Sequence, residues 1–265
     1  MVAMLIDTHA HIHFADSFAD DLALVLKNAR DNGVTKIITV GTDLETSRVA
    51  LELVSRSDLT LAKTGVELFA TIGLHPHNAK FAPQMLDQMI DLARQNKDRI
   101  VAIGECGLDY YRNNSTRDEQ ISVFEAQLEL ATELDLPLIF HIRDGWDDFF
   151  DIIAGYEGLR GVIHSFTGGP EQVEAANQSG LYFGLNGIMT FTKDQAQLEA
   201  AKLIPADKLL FETDCPYLSP VPLRGKRNEP ANVAIIAKFL ADLRGVELSE
   251  LAEQTTANAR NLFGI

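Results

Sequence analysis

Eight short segments rich in Val, Ile, Leu and Phe recur along the chain, separated by polar, helix-periodic stretches, and this alternation constrains the fold more than any other feature. The segments are Met4–His11, Lys36–Thr42, Leu68–His75, Ile100–Glu105, Leu138–Arg143, Gly161–Phe166, Leu181–Asn186 and Leu209–Asp214. The stretches between them include Asp20–Asn32, Leu44–Ser55, Pro83–Gln95, Thr116–Leu134 and Pro170–Gln178. Asn32-Gly33 and Ser179-Gly180 read as helix stops, Thr42-Asp43 and Ser115-Thr116 as helix starts. Units of roughly 30 residues are β/α crossovers. Eight of them close most naturally into an α/β fold of the (β/α)8 TIM barrel type, whose usual length of about 250 residues is close to the 265 found here. A doubly wound open sheet competes, but it carries a Gly-rich phosphate turn after its first strand, where this chain has histidines. No repeat, low-complexity tract or linker divides the sequence, so residues 1–265 are expected to form a single domain.

Composition narrows the class. With 46% hydrophobic and 23% charged residues the chain matches a globular enzyme rather than a disordered or fibrous protein. No apolar run approaches the ~18 residues of a membrane span. The opening MVAMLIDTHAHIH lacks the basic start and apolar core of a secretory leader, so a cytoplasmic location without membrane attachment is expected. The net charge of -15 opposes a broad basic face for duplex nucleic acid. A nucleic acid would have to be held locally, by metal ions and a few arginines. The two cysteines, Cys106 and Cys215, are too few and too far apart for a disulfide framework.

The chemistry collects at strand ends. All 7 histidines lie at or just past the end of an apolar segment: His9, His11 and His13 on the first, His75 and His77 on the third, His141 on the fifth and His164 on the sixth. In a β/α barrel those ends converge on one mouth. Side chains at i and i+2 share a strand face, so His9 and His11 point one way if Ile6, Thr8, Ala10 and Ile12 face the helices. Such a pair offers two imidazole nitrogens to one divalent ion.

Three carboxylates sit in matching places: Glu105 and Asp214 end the fourth and eighth segments, and Asp109 follows Glu105. A carboxylate facing an apolar barrel is costly unless it is paired or metal-bound. His9, His11, Glu105, His141, His164 and Asp214 are too many ligands for one tetrahedral ion, and suit two ions ~3.5–4 Å apart that share Glu105. Glu212 has the parity of Asp214 and either orients a ligand histidine or pairs with a cation such as Arg143. Cys106 and Cys215 follow two ligands with opposite parity and read as small buried thiols.

The segments IDTHAHIHF, GLHPH, VAIGECGLDYYR, PLIFHIRD, GVIHSFTG, LLFETDCPYLSP and RGKRNEPANV, in this order over nearly the whole chain, resemble the TatD-type metal-dependent nucleases of the amidohydrolase superfamily. The resemblance implies metal ligation by His9, His11, Glu105, His141, His164 and Asp214, a β/α barrel, divalent ions and 3′→5′ exonuclease activity on DNA or RNA. Some members lack the first His pair, which this sequence keeps.

Basic residues stand where phosphate would need them. Arg143 lies two past His141, Arg112 follows Asp109-Tyr110-Tyr111, and the loop after the eighth segment carries Arg224, Lys226 and Arg227. Tyr110, Tyr111, Phe166 and Tyr217 offer flat faces for bases, and His75 and His77 either contact phosphate or support their loop. The expected mechanism uses Asp214 as general base beside Glu105, with two ions that sequence leaves open among magnesium, manganese and zinc. The substrate is expected to be a single strand or frayed end, and the enzyme a monomer with no protein partner implied. The rival reading is a two-metal hydrolase of a small ester, lactone, amide or phosphoester on the same scaffold.

Overall fold

The computed structural model describes residues 4–265; residues 1–3, the start of the segment read for a leader, lie outside it. Eight parallel strands pair in chain order. They are β1 (Leu5–Ala10), β2 (Val34–Val40), β3 (Glu67–Ile72), β4 (Ile100–Asp109), β5 (Leu138–Arg143), β6 (Gly161–His164), β7 (Tyr182–Leu185) and β8 (Leu209–Phe211). Helices alternate with them, and the fold is a (β/α)8 TIM barrel. Among the described residues no helix is long and apolar enough to cross a membrane.

Helix ends follow local chemistry. Asp43 and Thr116 cap the helices Leu44–Val54 and Arg117–Leu134 in reciprocal boxes with Thr46 and Glu119, satisfying free N–H groups. Asn32 and Ser179 end Leu22–Asp31 and Pro170–Gln178, and each is followed by a glycine in the left-handed region, Gly33 at φ 86° and Gly180 at φ 74°.

The seam between the last and first strands is closed by side chains as well as backbone. His11 N–H donates to Cys215 O at 2.8 Å and Asp214 N–H to His9 O at 2.9 Å. The buried Asp7 carboxyl accepts from Thr213 N at 2.9 Å and from Thr213 Oγ1 at 2.6 Å. Burial raises the Asp7 pKa well above the carboxylate norm despite these bonds.

One apolar cluster lies between strands and helices, and a second draws Ile6, Ile38, Val40, Ala102, Ile139, Val162 and Leu210 together from the strands. The second cluster marks the barrel interior. His141, His164 and Glu212 each stand two residues beyond one of its members and so share its face. The first strand departs from simple alternation. Ala10 and Ile12 pack in the outer cluster as expected, but Ile6 belongs to the inner one. A register shift between Asp7 and Ala10 reverses the side along the strand. Cys106 and Cys215 are free and fully buried, Cys106 in van der Waals range of Ile139 O at 3.6 Å.

Candidate metal centre

The six residues expected to bind metal meet at the C-terminal mouth of the barrel, and Glu105 stands at their middle. Its Oε2 is 3.4 Å from His9 Nε2. Its Oε1 is 2.9 Å from His141 Nδ1 and 3.7 Å from His164 Nε2. On the Oε2 side, His9 Nε2 and His11 Nε2 are 3.3 Å apart, and Asp214 Oδ1 lies 3.3 Å from His11 and 3.8 Å from His9. The rings of His9 and His164 stack with centroids 3.5 Å apart and link the two sides.

Tautomers follow from what the outward-facing nitrogens meet. His11 Nδ1 donates to Val40 O at 2.8 Å, leaving the Nε2 lone pair facing inward. Asp109 Oδ2 lies 3.2 Å from His141 Nε2 and so fixes Nδ1 as the inward nitrogen. Glu212 Oε1 is 2.9 Å from His164 Nδ1. That contact is an ion pair rather than an aligned hydrogen bond, since Nδ1 has no partner of good hydrogen-bond geometry. Glu212 thus orients a histidine, the first of its two expected roles, rather than pairing with Arg143. Acceptors behind imidazoles and lone pairs in front form the usual surroundings of a metal site. Buried His9 Nδ1, without a partner, adds a polar atom that protein neighbours do not satisfy. The residues present therefore fit divalent ions.

Charges within the cluster support each other. Burial opposes ionisation of Glu105, but His75, His141 and His164 hold its carboxyl well below the ordinary range. Asp214 is likewise lowered, against burial, by His11, His164 and His9. Burial pulls the His164 pKa down, yet Glu212, Glu105 and Asp214 raise it to about 10. Burial, with the charge on His164, lowers His9. Asp214 also holds a left-handed backbone, φ 56°, unusual for a non-glycine residue and typical of a side chain aimed for function.

The residues expected to touch substrate divide into two groups. Arg112, Arg143 and Arg224 line a cavity of about 960 Å³ that opens onto His141, His164 and Asp214. His75 lines a second cavity of about 470 Å³ at the same centre, its Nε2 3.4 Å from Glu105 Oε1. Two expectations find no support. Arg227 lines neither mouth cavity; its guanidinium is bound to Asp21 and Glu229, at 2.7 and 2.8 Å, and lies over Phe18. Tyr110 also lines neither cavity, and its hydroxyl is bonded to Asp148. Of the aromatics expected to offer faces to bases, Tyr111 and Tyr217 are exposed, while Phe166 is buried.

Asp109 does more than its strand-end position suggested. Besides His141, its Oδ2 meets His77 Nε2 at 2.8 Å, and its Oδ1 accepts the backbone N–H groups of Tyr111 and Arg112 at 3.1 and 2.9 Å. One carboxylate thus ties a proposed ligand to the loops on both sides. Trp146, Phe191 and Lys80 also line the mouth, and the sequence held no local signal for them.

Barrel topology and clustered histidines at its mouth define the class of metal-dependent barrel hydrolases. Comparison with known proteins narrows this. The profile described as TatD related DNase matches residues 6–264, and the chain belongs to that family. It is 39% identical over 265 residues to the uncharacterised metal-dependent hydrolase YabD of Bacillus subtilis, covering 99% of this chain and 100% of that protein. It is 40% identical over 254 residues to the 3′-5′ ssDNA/RNA exonuclease TatD of Erwinia billingiae, covering 93% and 94%. Among solved structures, a TatD family hydrolase from Entamoeba histolytica superposes with a TM-score of 0.90 at 28% identity, covering 99% of both chains.

Proposed function

We propose that this protein is a two-metal nuclease that hydrolyses phosphodiester bonds of single-stranded DNA or RNA from the 3′ end. One observation carries the reading: the two oxygens of Glu105 face separate sets of imidazoles. The activity named for the related TatD exonucleases and the arginines at the mouth of a chain of net charge -15 support nucleic acid as substrate. His9, His11, Asp214 and Glu105 Oε2 would hold one ion, and His141, His164 and Glu105 Oε1 the other. Imidazole donors favour zinc, whereas carboxylates and phosphoryl chemistry suit magnesium or manganese. When bound, such ions polarise the phosphoryl group and lower the pKa of water toward ~7.

The chain's own groups supply the rest. Asp214 is kept ionised, and its Oδ1 faces His11 and His9, so the other oxygen is the one placed to take a proton from the attacking water. His75 Nδ1 accepts the His77 N–H at 3.1 Å, which leaves the hydrogen on Nε2. Burial lowers the His75 pKa to about 4, so the ring is neutral at pH 7 and its Nε2 hydrogen, 3.4 Å from Glu105 Oε1, is a donor facing the site where the phosphoryl group would lie. Water oxygen bonds to phosphorus as the bond to the neighbouring sugar oxygen breaks, and that oxygen leaves with a proton. The test is digestion of 3′- and 5′-labelled single strands with magnesium, manganese or zinc, repeated after chelation. Metal-dependent laddering from the 3′ end supports the proposal; intact strands with consumption of a small ester or amide would overturn it.

A further inference from the structure

Resting on the nuclease reading, we propose that the metal centre divides two unequal substrate chambers: the 3′-terminal nucleotide enters the smaller, and the strand continues in the 5′ direction along the larger. The cavities of about 470 and 960 Å³ meet at His77, His141, His164, Asp214 and Tyr217, so a phosphate at the ligands has space on either side. Small-molecule sites span ~300–1,000 Å³. The smaller chamber is of a size for one nucleotide, whereas the larger has room for more.

Charge divides the same way. Besides Asp214, which both share, the larger chamber is lined by Arg112, Arg143 and Arg224 with Asp109 and Asp144, and the smaller by Lys80 with Glu105, so the larger carries the excess of cations. None of the three arginines enters an ion pair among the described residues, in contrast to Arg227, which meets two carboxylates. Each nucleotide added to a strand brings one phosphate, so the side with three guanidiniums is the side for the continuing chain.

Two of these arginines are held flat by aromatic rings. The Arg143 guanidinium lies 3.8 Å from the Tyr111 centroid, and that of Arg224 lies 3.8 Å from the Phe191 centroid. Arg224 also donates to Ser219 O at 2.8 Å. Stacking uses one face of the guanidinium and leaves N–H groups at its edge for phosphate oxygens. Tyr111 comes from the loop after β4, Arg143 ends β5, and Phe191 and Arg224 come from the loops after β7 and β8, so the stacks flank the loop after β6. Tyr217 lines both chambers and is 56% exposed, which makes it a platform for a base beside the scissile phosphate.

A cycle between substrate and protein tests the assignment. A single-stranded tetranucleotide is compared with the same molecule carrying an uncharged methylphosphonate at the linkage immediately 5′ of the scissile one, using the metal-loaded wild type and Arg143→Ala/Arg224→Ala. In the wild type the neutral linkage should lower kcat/KM about tenfold, the scale of one charge-assisted hydrogen bond. In the double variant it should cost less than about twofold, because the lost charge and the lost guanidiniums are partners. Lys80→Ala should leave the tenfold penalty in place. Additive losses in the arginine variant, or a penalty abolished by Lys80→Ala instead, would overturn the assignment of chambers. Failure of the wild type to cut the unmodified tetranucleotide with any of the three metals would remove the nuclease reading itself, and the proposal with it.

Discussion

Glu105→Gln is the most informative single substitution, because one side chain faces both halves of the cluster. Glu105 Oε2 lies 3.4 Å from His9 Nε2, and Oε1 lies 2.9 Å from His141 Nδ1. The side chain is 4% exposed, so solvent does not screen its charge. Replacing it with an amide keeps the shape but removes the charge and turns one oxygen into a donor. Removing one partner of a buried charge pair costs about 3–5 kcal/mol. At 1.4 kcal/mol per factor of ten, that is a loss of about 10²- to 10³-fold or more in metal affinity. Both ions should weaken together. His11→Ala, which touches only the Oε2 side, and His141→Ala, which touches only the Oε1 side, should each weaken one. Calorimetric titration of the metal-free protein with zinc or manganese, read for stoichiometry and affinity, separates these outcomes. A Glu105→Gln protein that keeps one ion at wild-type affinity and loses the other would refute the bridging role.

Other consequences follow from the same contacts. Metal binding should release at least one proton at pH 7, because His164, raised to about 10, must lose its proton to ligate. Apparent affinity should therefore climb about tenfold per pH unit for each proton released, levelling off only near pH 10; titration in buffers of different ionisation enthalpy counts the protons. Arg227→Ala should lower stability by about 1–2 kcal/mol, discounted for partial exposure of the pairs with Asp21 and Glu229, and leave KM for oligonucleotides unchanged. Urea denaturation and steady-state kinetics check it, and a raised KM at unchanged stability would return Arg227 to the phosphate site. Gly184→Ala places a Cβ against the Glu212 carboxylate. Displacing that carboxylate from His164 should weaken metal binding by about 10–100-fold, measured by the same titration; unchanged affinity would separate Glu212 from the site.

The cluster at the mouth was legible in sequence because its candidate ligands obey local rules. Each candidate ligand stands at or near a strand end, and the barrel brings those ends together whatever their separation along the chain. Strand period paired His9 with His11 and Glu212 with Asp214, while the fold sets His141, His164 and Glu212 on the face of the inner apolar cluster. The first strand was legible only in part, since the register shift that turns Ile6 inward leaves no mark in the apolar alternation. Substrate contacts were harder to read for a different reason. Arg227 looked free because Asp21, its partner, is 206 residues away, and only tertiary packing reveals the pair. Tyr110 and Tyr111 are adjacent and chemically alike, but one hydroxyl is bound to Asp148 while the other ring meets Arg143 at the mouth. Phe191 lies in a loop with no motif of its own, and its importance comes only from the guanidinium above it.

The most direct measurement is a crystal structure of the metal-loaded protein with anomalous data collected at the edge of the bound ion. Two peaks ~3.5–4 Å apart, one beside His9 and His11 and the other beside His141 and His164, with one Glu105 oxygen on each, are expected. A single peak at full occupancy, or ions bound away from Glu105, would contradict the account.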